Sequence, residues 1–269
     1  MIALALSLGL LSTSLLSCGG SRGGGLRNKG PRALPITEPM VLGWRLVPGD
    51  QLVYDHSVLW QSGPEESTRR VERWTYLVRD VDEQGIATLE GSLNALGVEH
   101  ILEGEVTPEP LLALALAEEK ERLSQDSVRV QLAMDGRLIG VTGVSWSDSL
   151  SHRLLGLQLS GEGITEQSTW PDPVLARPYA DLLPMSLDVE VSGSHQVGGL
   201  FDDQGELRLS LVSEGLVRSP SGGPQVELEG QGWWDPQTGR LVSRALTARI
   251  GNLSMTDPGT LTIELELAE

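Results

Sequence analysis

The chain has a single cysteine, Cys18, among 269 residues. No intrachain disulfide is available, so stability has to come from a buried core. A lone cysteine also leaves no cysteine-rich zinc module. Histidine is scarce: His56, His100, His152 and His195 are scattered, and none forms a His-x-x-x-His pair. Positive charge is scarce too, with 20 Lys and Arg against 37 Asp and Glu and a net charge of −17 at pH 7. Such a body lacks the basic footprint of a nucleic-acid binder, and no nucleic acid is expected as a partner. After residue 40 Gly-x-Ser-x-Gly is absent, and Ser-x-x-Lys is absent throughout, since the only lysines are Lys29 and Lys120. No glycine-rich loop sits between a strand and a helix to hold phosphate. The apolar run "MIALALSLGLLSTSLLS" (1–17) is shorter than the about 20 residues that a spanning helix needs.

That run carries no charged side chain and ends in Leu15-Leu16-Ser17-Cys18-Gly19. It has the length of a secretory signal's apolar region, without the usual positive start. Its end resembles the lipobox of bacterial lipoproteins, with an aliphatic residue at −3 and a small one at −1 before the cysteine. Leu16 at −2 departs from the more usual Ala, Ser or Thr. The resemblance implies that residues 1–17 are a cleaved signal peptide and that Cys18 is lipidated. Several acyl chains hold a protein stably on a bilayer, since each buried methylene contributes about 0.8 kcal/mol. The expected location is a bacterial cell envelope, with the membrane engaged through Cys18. Gly19 and Gly20 lack the aspartate at +2 that retains many lipoproteins in the inner membrane. The periplasmic or surface side of the outer membrane is therefore favoured.

Residues 18–40 carry the lipidation site and a tether. Glycine dominates the first part of "GGSRGGGLRNKGPRALPITEP" (19–39) and proline the second, a composition without a packed core. Arg22, Arg27, Lys29 and Arg32 precede the first acid, Glu38. A basic strip beside the lipid is attracted to anionic headgroups, and the acidic body is repelled from them.

Residues 41–269 read as one β-rich domain. In "PGDQLVYDHSVLW" (48–60), Leu52, Tyr54, Val58 and Trp60 share a face, with His56 among them. In "VERWTYLVRDV" (71–81), Trp74, Tyr76 and Val78 do the same. The alternation returns at 85–93, 127–134, 136–144, 187–191, 206–212, 225–234, 239–250 and 259–267. Period two means strands with one buried face. The connections "DEQG", "DG", "DDQG", "PSGGP" and "DPQTG" are hairpin turns, which favours antiparallel pairing. The expected fold is mainly β: a curved antiparallel sheet, as an open barrel or a sandwich. Resemblances between 82–91 and 202–211, and between 133–141 and 234–244, hint at an internal duplication.

One segment breaks the rule. "TPEPLLALALAEEKERLSQ" (107–125) has an N-cap threonine, Pro108 in the first turn and an apolar start, which predicts an inserted helix over 108–124 covering the concave face. Shorter helices are candidates at 147–158 and 172–183, the second restricted by Pro178. Seven tryptophans accompany one phenylalanine and three tyrosines. Core packing is their default role, and an indole-lined apolar groove is the sharper alternative. Leu112, Leu116, Trp60 and Trp74 are the candidate ligand-lining residues. Trp233 and Trp234 should point to opposite faces.

Metal sites are weak. Asp80, Asp82 and Gly85 fit positions 1, 3 and 6 of a calcium loop, but Gly91 stands where a bidentate glutamate belongs, so a hairpin turn is expected. Glu103 and Glu105 fall on one strand face and His100 on the other, poor geometry for one ion. Ser194 adjoins His195, but neighbours on a strand face opposite ways. No metal, cofactor or catalytic residue is expected. Two functions remain: a non-catalytic envelope interaction or structural module, or a carrier or sensor of a hydrophobic ligand under the helix. The pattern resembles uncharacterised β-rich lipoproteins and, in architecture alone, half-barrel lipoprotein carriers that hold acyl chains between a curved sheet and covering helices. That likeness implies the carrier alternative.

Overall fold

A computed structural model describes residues 31–62, 65–102, 105–106, 116–123, 127–183, 188–220, 222–251 and 259–268. Cys18, most of the tether, Leu112 and the first half of the expected helix lie outside the described residues. The alternating stretches form one 13-stranded antiparallel sheet. In chain order its strands are β1 (Arg32–Leu34), β2 (Gln51–Gln61), β3 (Glu66–Val81), β4 (Ile86–Leu102), β5 (Glu105–Val106), β6 (Val128–Ala133) and β7 (Leu138–Thr142). They continue as β8 (Thr169–Pro171), β9 (Glu190–Asp203), β10 (Glu206–Arg218), β11 (Gln225–Asp235), β12 (Arg240–Gly251) and β13 (Thr260–Leu267). The path across the sheet is β1-β9-β10-β11-β12-β13-β2-β3-β4-β6-β7, with β5 on β4 and β8 on β9. The two ends of this path do not pair, so the sheet is open. A single open sheet decides against the sandwich.

The paired resemblances in the sequence fall on equivalent hairpins. "DEQG" joins β3 to β4 and "DDQG" joins β9 to β10, while the later pair joins β6 to β7 and β11 to β12. Each half is a four-strand meander running the same way across the sheet. In the first half the helical segment 116–123 (α1) lies between the second and third strands. In the "DEQG" turn, Asp82 Oδ1 accepts from the backbone N–H of Gln84 and Ile86, and Gly85 takes φ +75°. The carboxylate is thus turn-forming.

One face of the sheet is buried. Leu52, Tyr54, Trp74, Tyr76, Leu89, Val130, Leu228, Trp234, Leu246 and Ile263 are at most 2% exposed. The cover is the connection from β7 to β9, which runs from one end of the strand order to the far side. It carries helix α2 (Trp146–Arg153), β8 and a 3-10 helix (Arg177–Leu182). Ser145 caps α2 by accepting from Asp148 N–H. Both shorter helical candidates are therefore present, the second as a 3-10 turn with Pro178 in its first turn, where a missing N–H costs nothing. Helix α2 contacts β2, β13 and β7, and the 3-10 helix contacts β9, β10 and β11. Between them Leu150, Leu154, Leu155, Leu157, Ile164, Ala176 and Tyr179 enter the core. The principal described cover is thus this connection, and not the 108–124 segment, from which Leu123 is buried and Leu116 half-buried.

A second strap, residues 40–46, crosses the end of the core. Trp44 N–H donates to Met134 O at 2.8 Å, and Arg45 N–H donates to Gly239 O at 3.1 Å. Consecutive residues thus grip the equivalent turns of the two meanders. Trp44 meets Trp234 edge to face, with ring centroids 5.1 Å apart. Trp233 points outward and meets Phe201, as the alternation requires. No described helix is long and apolar enough to cross a membrane.

Candidate functional site

Two polar clusters interrupt the apolar inner face, and both join the sheet to its cover. The first lies between β2, β3, α1 and α2. Register places His56 opposite Glu72 and Tyr54 opposite Trp74. Tyr76 Oη lies 3.1 Å from His56 Nε2 and 2.5 Å from His152 Nδ1. Burial holds the Tyr76 hydroxyl well above its ordinary pKa, so it keeps its proton. Burial also drives both imidazoles down, His56 well below its usual value and His152 to about 3, helped by the Arg70 charge. Both rings are therefore neutral at pH 7. Among the described residues, His56 Nδ1 has no hydrogen-bond partner. The tautomers with fewest unmet donors have His56 Nε2–H donating to Tyr76, whose hydroxyl donates to His152 Nδ1.

Beside this chain, Trp74 Nε1–H donates to Glu72 Oε2 at 2.7 Å, and Arg70 pairs with Glu72 at 2.6 Å. Burial raises the Glu72 carboxyl, and the Arg70 charge only partly opposes it. Asp148 of α2 gathers Arg70 at 2.7 Å, Arg122 of α1 at 2.9 Å and the Ser145 hydroxyl at 2.6 Å. Burial alone would raise the Asp148 carboxyl, but these three donors hold it below its usual range. Glu119 of α1 closes the network on Arg122 at 2.6 Å. One carboxylate thereby ties α1, α2 and β3 together.

The second cluster lies under β9, β10 and β12. His195 Nδ1 is 2.9 Å from Ser213 Oγ, and His195 Nε2 is 2.9 Å from Asp172 Oδ2. Asp172 also accepts from the backbone N–H of Val174 and Leu175, at 3.0 and 3.1 Å. Burial raises the Asp172 carboxyl, and these hydrogen bonds outweigh it, leaving the group below its ordinary pKa. Burial lowers His195 more than Asp172 raises it. Arg244 Nη1 donates to the carbonyls of Leu154 and Gly156 at 3.1 and 2.7 Å.

Two β-bulges lie beside this second cluster. Pairing of β10 with β9 slips between Ser210 and Leu211, so that Leu200, Val197 and His195 all face inward. Pairing of β11 with β12 slips between Trp233 and Trp234, which lets Leu241 and Arg244 share the inner face. Without the extra residue, strict alternation from Val197 and from Leu246 would turn Leu200 and Leu241 outward, away from the face that holds His195 and Arg244.

The order Asp172–His195–Ser213 has the connectivity of an acid, a base and a nucleophile. Its setting is different. Ser213 is 1% exposed, and the small cavity that Asp172 borders is bounded by neither Ser213 nor His195. Among the described residues the hydroxyl is enclosed. The group joins two strands to the β8 segment across the core, as Tyr76–His152 joins β3 to α2.

Of the sequence candidates, Trp74 is fully covered, and Trp60 is half-buried at the edge of the core near Gly259. Leu116 is half-buried in α1. The structure does not bring Trp60, Trp74 and Leu116 together around a described cavity. The histidines that looked scattered are not all so: His56 and His152 approach to 5.2 Å between ring centroids. Among the described residues, no group of three or more His, Cys, Asp or Glu is arranged to hold a metal ion.

No protein-family model matches the chain, and no curated protein matches it. Among solved structures, the chain is similar to one described as lipid–protein interactions in lipovitellin. The TM-score is 0.48 at 9% identity, over 84% of this chain and 26% of that one. The chain thus spans about a quarter of that neighbour's length. A second neighbour is DynF from the dynemicin biosynthesis pathway of Micromonospora chersina. Its TM-score is 0.22 at 9% identity, over 91% of this chain and 92% of that one. Neither likeness carries a function to this chain.

Proposed function

We propose that the chain is a bacterial lipoprotein, anchored in the cell envelope through acyl chains on Cys18, whose β domain acts without catalysis as an interaction or structural module. The observation that carries the module reading is the burial of the inner face under the described residues. Indoles, leucines and the two polar clusters occupy the space between sheet and cover. A lipid carrier at rest needs a sizeable apolar void there. The anchor reading rests on the sequence: the only cysteine follows the apolar run 1–17 and precedes a basic tether. On this reading the acidic domain stands off an anionic leaflet and meets an envelope protein.

The alternative is a carrier or sensor of a hydrophobic ligand. One feature favours it: besides its apolar side chains, the cover is fastened through polar contacts at Asp148, His152, Asp172 and Arg244, which can be exchanged for contacts with water. A ligand would then have to lift the cover.

The anchor is tested by Cys18→Ser. Metabolic labelling with palmitate should mark the wild type and not the variant, and the variant should leave the membrane fraction or remain uncleaved. Equal labelling of both would remove Cys18 as the attachment point.

A further inference from the structure

Strand β9 is paired along only part of one edge. Strand β8 lies against Ser194, His195 and Gln196 and stops at Pro171. Asp172 then turns the chain away, accepting from the backbone N–H of Val174 and Leu175. Toward the start of β9, the final backbone bond on this side runs from Asp172 N–H to Gly193 O at 2.8 Å. In antiparallel pairing the N–H and C=O of every second residue point to the same side. Those of Val191 therefore point where β8 would have continued, and no described backbone group meets them there. The other side of β9 is paired normally, with Val191 opposite Val217 of β10. A short stretch of strand edge is thus left open to another chain.

A groove of about 420 Å³ lies beside that stretch, within the size range of ligand sites. Val189 and Val191 border it from β9, Val174 and Pro178 from the turn after β8, and Trp146 from α2. Val174 is 41% exposed, so the groove is open to solvent. Arg153 and Arg177 also border it. Arg153 uses only Nε, on Ser149 Oγ at 3.2 Å, and Arg177 is exposed. Neither forms an ion pair among the described residues. Asp181 is the acid on the rim, exposed and not in ion-pair contact with either. Burial lowers the pKa of Arg153, a cost that a carboxylate beside it would relieve.

We propose that this groove docks an extended acidic segment of a partner protein, added as a strand on the free edge of β9. The segment's backbone pairs with the N–H and C=O of Val191. Residues two apart on a strand share a face, so an aliphatic side chain enters beside Val174 and Val191 while carboxylates on the same face meet Arg153 and Arg177. Elsewhere the body, in a chain of net charge −17, turns acidic segments away. The proposal rests on the interaction-module reading and names that module's partner. Its failure shows as absent peptide binding, whereas failure of the module reading shows as a co-purifying lipid.

The test is fluorescence polarisation of a fluorescein-labelled peptide amide, Thr-Glu-Thr-Val-Thr-Glu-Thr, with the full chain at pH 7. A saturable rise at submillimolar protein is expected. The same peptide with Gln for both Glu should bind several-fold more weakly, and so should one with Pro for both central Thr, which loses backbone donors. Arg177→Gln should weaken binding several-fold with an unchanged melting temperature. Val191→Pro removes the free N–H without touching the ladder to β10, and should abolish binding. Should that variant not fold, the Pro peptide and Arg177→Gln still decide. No saturable binding, equal binding of the Gln or the Pro peptide, or an unchanged affinity in Arg177→Gln would each overturn the proposal. So would displacement of the peptide by equimolar octanoate, which gives the groove to an amphiphile, or a dimer in sedimentation that excludes the peptide, which gives it to a second copy.

Discussion

Trp234→Ala is expected to lower the unfolding free energy by about 3–5 kcal/mol, the range for emptying a large aromatic site in a packed core. Trp234 is 0% exposed and stands edge-on to Trp44, which is 1% exposed. Its removal takes away the surface against which the 40–46 strap closes. That strap also bridges the two meanders through Met134 and Gly239, so the loss should be cooperative. Among the described residues neither indole N–H has a partner, so truncating one strands no polar group on the other, and the cost is one of packing. Trp233→Ala is the internal control. It sits on the outer face against Phe201 and should cost clearly less. Urea unfolding of both variants checks this. Equal losses would mean that the strap does not seal the core.

Acidification is expected to unlock the cover from the sheet. In the native state His152 takes a proton only near pH 3, whereas in the unfolded chain it does so near pH 6.5. A folded pKa below the unfolded one means that the unfolded state binds more protons as pH falls below about 6.5. Stability is then lost with falling pH. At pH 5 His152 alone should cost about 2 kcal/mol relative to pH 7. His56 and His195, whose pKa values are also lowered by burial, act with the same sign. Glu72 opposes them, because its raised carboxyl takes a proton sooner in the folded state than in the unfolded one. Denaturant midpoints at pH 7, 6 and 5 give the sum. In His152→Gln the slope between pH 7 and 5 should shrink. An unchanged slope would mean that His152 is not the group that titrates.

Much of the sheet was legible because its strands are half-buried. In β2 and β3 the alternation of Leu52, Tyr54, Trp74 and Tyr76 with polar residues states which face is inside. The turns were legible because Asp and Gly are needed there: Asp82 bonds its own turn, and Gly85 takes a positive φ. The polar clusters were not legible. His195 is in phase with Val197, and Arg244 with Leu246 and Ala248, so period two turns both inward, but it does not say which groups of the cover they meet. The meeting of His56 with His152 spans 96 positions of sequence and depends on where the β7-to-β9 connection lies. That connection has weak periodicity, since α2 is eight residues long with polar Ser149 and Ser151 buried. Its role as the cover follows from tertiary packing alone. The segment from 108 reads as a cover because its apolar residues, Leu111 to Ala117, are contiguous, whereas the leucines of 150–159 are spread along an irregular chain; most of that apolar run lies outside the described residues.

The central claim is that the inner face of the sheet is filled by its own chain. Native mass spectrometry tests it most directly, on the compact unit from Pro31 to Glu269, purified from its host without detergent. A bare protein at its sequence mass is the expected result. A stoichiometric co-purifying lipid, released on acidification as the cover lets go, would contradict a filled interior and establish the carrier in its place.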